Sequence, residues 1–153
     1  MTTELTWTDI VEIQSLTARY GLCLDNADFA AFGALWTDDG VFRMVNNDGG
    51  GVMPDTVVGR PAIVEAFSHL AEFIQGKLRI RHITGNLCLE HSRGEPDEIL
   101  ATSAMVALSH PAGTDEIVVT NFGMYNDRLR RVNGEWRFVE RIFSKDPPIG
   151  VGS

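Results

Sequence analysis

The stretch Tyr125-Asn126-Asp127-Arg128-Leu129-Arg130-Arg131-Val132-Asn133-Gly134-Glu135-Trp136-Arg137-Phe138-Val139-Glu140-Arg141-Ile142-Phe143 decides the fold class. Two strand-like runs flank Asn133-Gly134, the dipeptide best suited to a two-residue hairpin turn in which both residues take positive φ. With that turn, Val132 faces Glu135, Arg131 faces Trp136, Leu129 faces Phe138 and Tyr125 faces Ile142. The other face sets Met124, Asn126 and Arg128 against Phe143, Arg141 and Val139. Both faces mix apolar and polar groups, so periodicity leaves open which one packs inward.

Working back towards the N-terminus, the period of two persists through residues 117–132, 99–110 and 79–91. Gly and Pro clusters at 93–97 and 111–115 separate these runs. Before Gly76 the period is helical. Thr6-Trp7-Thr8-Asp9 has the form of a capping box, with Leu5 and Ile10 as its hydrophobic staple. Ile10, Ile13, Leu16, Thr17, Tyr20 and Leu24 then recur at helical spacing, giving a first helix over 8–24. Asp25-Asn26-Ala27-Asp28 breaks it, residues 29–36 form a short second helix, and Thr37-Asp38-Asp39-Gly40 reads as a turn. Residues 41–45 alternate like a strand. Residues 46–55, with Gly49-Gly50-Gly51, read as a loop, and Val57-Val58 as a short strand. Pro61 opens a third helix whose apolar face is Ile63, Phe67, Leu70, Ala71 and Ile74. Helices first and a long curved antiparallel sheet afterwards make an α+β fold, read as a single domain over 1–153.

The 153 residues are 44% hydrophobic and 8% aromatic, enough for a buried core and too much for a disordered chain. A formal net charge of -8 repels phosphate backbones and anionic membrane surfaces, so neither nucleic acid nor membrane is an expected partner. No apolar run approaches the roughly 18 residues of a membrane span. The first ten residues lack the basic and apolar regions of a secretory leader. Cys23 and Cys88 sit in apolar patterns and read as buried free thiols of a reducing, cytoplasmic compartment.

Three residues stand out chemically. Asp25 ends an apolar helix after Leu22, Cys23 and Leu24, surroundings that disfavour its charged form and make it more basic. Its structural alternative is a cap on the second helix. His82 lies inside a strand pattern with Asn86 four residues on. A buried histidine beside a carboxylate is a proton-transfer pair, and a satisfied core histidine is the alternative. Arg141 sits in the last strand, where it would either steady an anion or pair with a neighbouring carboxylate. No His, Cys, Asp and Glu cluster has zinc spacing, and no loop has the Walker pattern, so neither a metal nor a cofactor is expected.

The order of elements resembles the SnoaL-like branch of the nuclear-transport-factor-like superfamily over roughly residues 5–145. The resemblance is carried by Ile13-Gln14-Ser15-Leu16 with Tyr20 and Leu24-Asp25; Leu35-Trp36-Thr37-Asp38-Asp39-Gly40; Gly59-Arg60-Pro61-Ala62-Ile63; Arg81-His82-Ile83-Thr84-Gly85-Asn86; and Tyr125-Asn126-Asp127-Arg128, Gly134-Glu135-Trp136-Arg137-Phe138 and Arg141. It implies a cone in which a curved sheet and three helices enclose one apolar pocket. Members include scytalone dehydratase, hexachlorocyclohexane dehydrochlorinase, bile acid dehydratase, ketosteroid isomerase, polyketide cyclases and the small subunits of ring dioxygenases.

The lyases of this group use an Asp–His dyad, and Asp25 and His82 occupy its places. Tyr20 and Arg141 match a tyrosine and an arginine that act with the dyad. The second histidine of the scytalone dehydratase pattern has no counterpart, and neither has the second acid of the bile acid dehydratase pattern. The resemblance thus implies a cofactor-independent lyase, isomerase or cyclase acting on a largely apolar cyclic molecule of steroid, polyketide, terpenoid or aromatic type. Trp36, Phe42, Met44, Phe67, Asn86, Met105, Met124 and Phe143 are the candidate substrate-binding wall. A non-catalytic dioxygenase subunit and a small-molecule binding protein are the alternatives. The family's open sheet face also implies a homodimer or homotrimer, with Trp136 and Leu129 as candidate contacts.

Overall fold

In the computed structural model, residues 4–47 and 52–149 are described. The chain begins with the expected capping box: the Thr6 hydroxyl accepts from the Asp9 backbone N–H, and the Asp9 carboxylate accepts from the Thr6 N–H at 2.8 Å. The same carboxylate accepts from Trp136 Nε1 at 3.0 Å and pairs with Arg131. It therefore pins the start of the first helix to the final hairpin. That helix, α1 (Trp7–Asp25), buries Ile13, Leu16, Thr17, Tyr20 and Gly21. A second helix, α2 (Phe29–Ala34), is capped by Asp28, whose carboxylate accepts from the Ala31 N–H. Asp28 thus takes the capping role that was one reading of Asp25.

The expected turn at Thr37–Gly40 is part of a strand. β1 (Trp36–Val45) starts at Trp36, and its register against the last strand shifts between Trp36 and Val41. A bulge absorbs the polar Asp38-Asp39 pair that looked like a turn. Gly40 suits the close packing there, since a Cβ would lie 3.0 Å from the Trp36 ring and 3.1 Å from the Thr37 carbonyl. β2 (Thr56–Val58) pairs with β1, and α3 (Arg60–Ile74) follows with Pro61 in its first turn. The Gly49–Gly51 segment lies outside the described residues.

Four long strands follow: β3 (Leu78–His91), β4 (Glu98–Pro111), β5 (Val118–Val132) and β6 (Glu135–Lys145). The curved sheet has the order β2-β1-β6-β5-β4-β3 and does not close. It is antiparallel except at β1–β6, which is parallel, so the expected antiparallel sheet is in fact mixed. The final hairpin has the expected register from Val132–Glu135 to Leu129–Phe138. Then Val139 is bulged out, and the pairs become Arg128–Glu140, Asp127–Arg141, Asn126–Ile142 and Tyr125–Phe143. That one-residue shift turns Arg141 inward.

The concave face of the sheet packs on the helices. Tyr20 sits at the centre, its ring 5.3–6.3 Å from those of Phe32, Trp36, Phe67, Tyr125 and Phe138. Trp136 and Leu129 are buried on this side, so they are not on the open face where subunit contacts were expected. The open face instead carries a row formed by Ile83, Val106 and Phe122, of which Ile83 and Phe122 are more than half exposed. Both cysteines are free, and Cys88 is exposed rather than buried. Among the described residues no helix is long and apolar enough to cross a membrane.

Candidate active site

α1 delivers Asp25 as its last residue and β3 delivers His82 to the concave side. A small residue one turn earlier makes the meeting close. A Cβ on Gly21 would lie 3.1 Å from His82 Cβ and 3.4 Å from the His82 carbonyl. The absence of a side chain on Gly21 lets helix and strand approach this closely without displacement. Asp25 Oδ1 then sits 2.6 Å from His82 Nδ1, and Oδ2 accepts the His82 backbone N–H at 3.0 Å. The Asp25 side chain is 3% exposed and that of His82 is 18% exposed.

This two-point grip has a chemical consequence. A carboxylate only accepts, so the neutral imidazole carries its proton on Nδ1 and leaves the lone pair on Nε2. Nε2 has no hydrogen-bond partner among the described residues. His82 and Asp25 both line a pocket of about 710 Å³. Leu24, Phe29, Phe67, Leu70, Ile74 and Ile80 make its apolar wall, and Ala107 adjoins His82 on β4. The volume falls in the range of roughly 300–1,000 Å³ typical of small-molecule sites.

Of the other expected site residues, only Phe67 lines this pocket. Tyr20 and Arg141 come together elsewhere, deep in the core. Arg141 Nε and Nη2 donate to the two Asp127 oxygens, each at 2.8 Å, and both side chains are 0% exposed. The rings of Tyr125, Tyr20 and Phe138 cover the guanidinium, with centroids 3.8, 4.2 and 4.3 Å away. Burial works against the arginine's charge, but the Asp127 carboxylate more than offsets this and pushes its pKa up. Burial pushes the Tyr20 hydroxyl well above its usual range and that of Tyr125 up to about 12. Asp127 takes Nε and Nη2, rings cover the face, and Nη1 is buried without a partner among the described residues, so Arg141 lies in the core and off the pocket lining.

Trp36, Phe42, Met105 and Phe143 are buried in the same core, and Met44 packs against it. Met124 alternates with the buried Gly123 and Tyr125, so it faces the open side of the sheet. Asn86 has φ 56° within a β3 irregularity between Gly85 and Cys88 and is exposed. The bulge cancels the strand alternation that set Asn86 on the His82 face. Thr120 and Asn121 line the pocket although consecutive in sequence, which a regular strand forbids. Asn121 shares the period-two face of Tyr125, a signal the sequence does carry, whereas Thr120 joins it only through the bulge.

A model of the SnoaL-like domain matches residues 6–142. The chain belongs to the SnoaL-like family. Its cone is the fold of the nuclear-transport-factor-like superfamily. No curated protein matches the sequence. Among solved structures, Rv3472, a protein of unknown function from Mycobacterium tuberculosis, is 30% identical over 94% of this chain and 75% of its own, with a TM-score of 0.75. A putative scytalone dehydratase from Novosphingobium aromaticivorans is 20% identical, covering 95% and 96%, with a TM-score of 0.72. The beta subunit of a putative aromatic-ring-hydroxylating dioxygenase from the same organism is 24% identical, covering 90% and 89%, also at 0.72. At these identities the last two show the fold and no reaction.

Proposed function

We propose that this SnoaL-like protein is a cofactor-independent, dehydratase-like lyase, or a related isomerase or cyclase, acting on a largely apolar cyclic molecule. The observation that carries this reading is the Asp25–His82 dyad on the wall of a large apolar pocket. His82 Nε2 takes a proton from a ring carbon. Asp25 holds the imidazole in the right tautomer and stabilises the imidazolium that forms. In a dehydration, the electrons of the broken C–H bond become the new C=C bond as the C–O bond breaks. The proton on Nε2 then leaves with the hydroxyl as water. In an isomerisation it returns to a different carbon. The steroid, polyketide, terpenoid and aromatic classes all suit the apolar wall.

In this reading Tyr20 and Arg141 support the wall from behind rather than touch the substrate. The alternative of a non-catalytic dioxygenase subunit draws support from the fold shared with one such subunit, but gives no reason for the dyad's geometry. The open-face row Ile83, Val106 and Phe122 supports a homodimer or homotrimer, and the two free cysteines suit a cytoplasmic setting.

The test is solvent-deuterium incorporation into a panel of cyclic ketones, followed by NMR. Wild type is expected to catalyse exchange into at least one member, with His82→Ala slower by about 10²-fold or more. Equal rates for wild type and a folded His82→Ala across the panel would overturn the proposal.

A further inference from the structure

The sheet register places a polar side chain, Asn121, across the pocket from His82. His82 pairs with Ala107 on β4, and Ala107 pairs with Asn121 on β5. The three lie in one row across the concave face. Two strand spacings separate the outer pair, about 10 Å between backbones. The middle residue projects only a methyl group, so the row is a slot with His82 on one side and Asn121 on the other.

Asn121 alternates in unbroken register with the buried Gly123 and Tyr125, which aims it at the concave side, and a bulge just before it brings Thr120 to the same side. The β4–β5 register shifts between Ala107 and Leu108, which pairs with Val119, so Thr120 is the extra residue. Both Thr120 and Asn121 then line the pocket. The Thr120 hydroxyl is already engaged: it donates to the Ala107 carbonyl at 3.2 Å and lies 2.9 Å from Ser109 Oγ. The Asn121 carboxamide is half-buried and makes no side-chain hydrogen bond to a described residue. With no partner among the described residues, this half-buried amide is free to hydrogen-bond a ligand oxygen that enters the pocket.

We propose that Asn121 anchors an oxygen of the substrate ring, a carbonyl or hydroxyl, and so sets an adjacent carbon against His82. The proposal deepens the reading of His82 as a base and rests on it for the chemical step. With a ring ketone, His82 Nε2 takes the α-proton and the C–H electrons move onto the carbonyl oxygen. The Asn121 Nδ2–H holds the resulting enolate oxygen, and the proton on Nε2 is returned to carbon. The substrate class narrows to oxygenated rings whose oxygen lies one short span from the carbon that loses its proton.

The probe pair is β-tetralone and tetralin, which share a fused ring skeleton and differ in the carbonyl. Their dissociation constants are measured by NMR titration on wild type, Asn121→Leu, Asn121→Ala and His82→Ala. Asn121→Ala adds no bulk and guards against a leucine that blocks the slot. The expected result is that the preference for β-tetralone over tetralin falls about tenfold in both Asn121 variants. His82→Ala is expected to keep it. An unchanged preference in the folded Asn121 variants, or no binding of β-tetralone by wild type, would overturn the anchor. Deuterium exchange into β-tetralone separates the two ideas. Exchange that is lost in His82→Ala but unaltered in Asn121→Ala would keep the base and sink the anchor. An Asn121-dependent preference without exchange in wild type would keep the anchor and sink the base.

Discussion

Replacing Asp127 by Asn keeps the shape of the buried pair and removes its negative charge. Arg141 would then hold a full positive charge at 0% exposure, with three aromatic rings and a neutral amide in place of its bidentate carboxylate. Breaking a buried pair from one side costs about 3–5 kcal/mol, because the surviving charge is uncompensated. For a domain of this size that is a large share of a total near 5–15 kcal/mol, and it lowers Tm by on the order of 10 °C. The double variant Asp127→Leu with Arg141→Met removes both charges and keeps apolar volume, so it is expected within about 2 kcal/mol of wild type. Urea unfolding followed by circular dichroism reads both numbers. A single variant within about 1 kcal/mol of wild type would refute the reasoning. The double variant also separates scaffold from site. If it folds and loses His82-dependent turnover, Arg141 touches the substrate after all.

Asp25→Asn keeps one oxygen for the His82 backbone N–H but turns an NH₂ donor towards Nδ1. That favours the tautomer with the proton on Nε2, and kcat is expected to fall by about 10²-fold with little loss of stability, as checked by steady-state kinetics and thermal unfolding. Gly21→Val places a branched side chain where even a Cβ meets His82 Cβ at 3.1 Å. It is expected to cut activity by displacing β3 from α1, even though leaving Gly improves helix propensity, and paired activity and Tm measurements check this. Phe122→Lys puts a charge at the β5 end of the open-face row and is expected to shift the protein to monomer by sedimentation velocity, with monomeric stability unchanged.

Much of this fold is readable from the chain because its signals are local. The Asn133-Gly134 turn fixes the last hairpin as far as Leu129–Phe138, and the Thr6–Asp9 box fixes the start of α1. The dyad was legible for a different reason: Asp25 and His82 fall at element positions that the resemblance made meaningful, while their 2.6 Å contact depends on Gly21 and on tertiary packing. What escaped was decided by bulges. Val139 shifts the register so that Arg141 pairs with Asp127 in the core, the Gly85–Cys88 irregularity turns Asn86 outward, and the extra residue Thr120 joins Asn121 on the pocket side. A bulge reverses every later side chain, and nothing in the residue types announces it. The pocket wall was misplaced for a related reason. Large apolar residues such as Trp36, Phe42 and Phe143 fill the core behind the site, and a sequence does not separate core from cavity lining.

The central claim is that His82, held by Asp25, is a base facing an apolar pocket. A nitrobenzisoxazole tests it most directly. The compound is a flat, mostly apolar ring whose opening needs only one proton removed from carbon and reports itself by colour. Wild type is expected to open the ring with saturable kinetics, at a rate that falls by about 10²-fold or more in folded His82→Ala. The same rate in both proteins would contradict it.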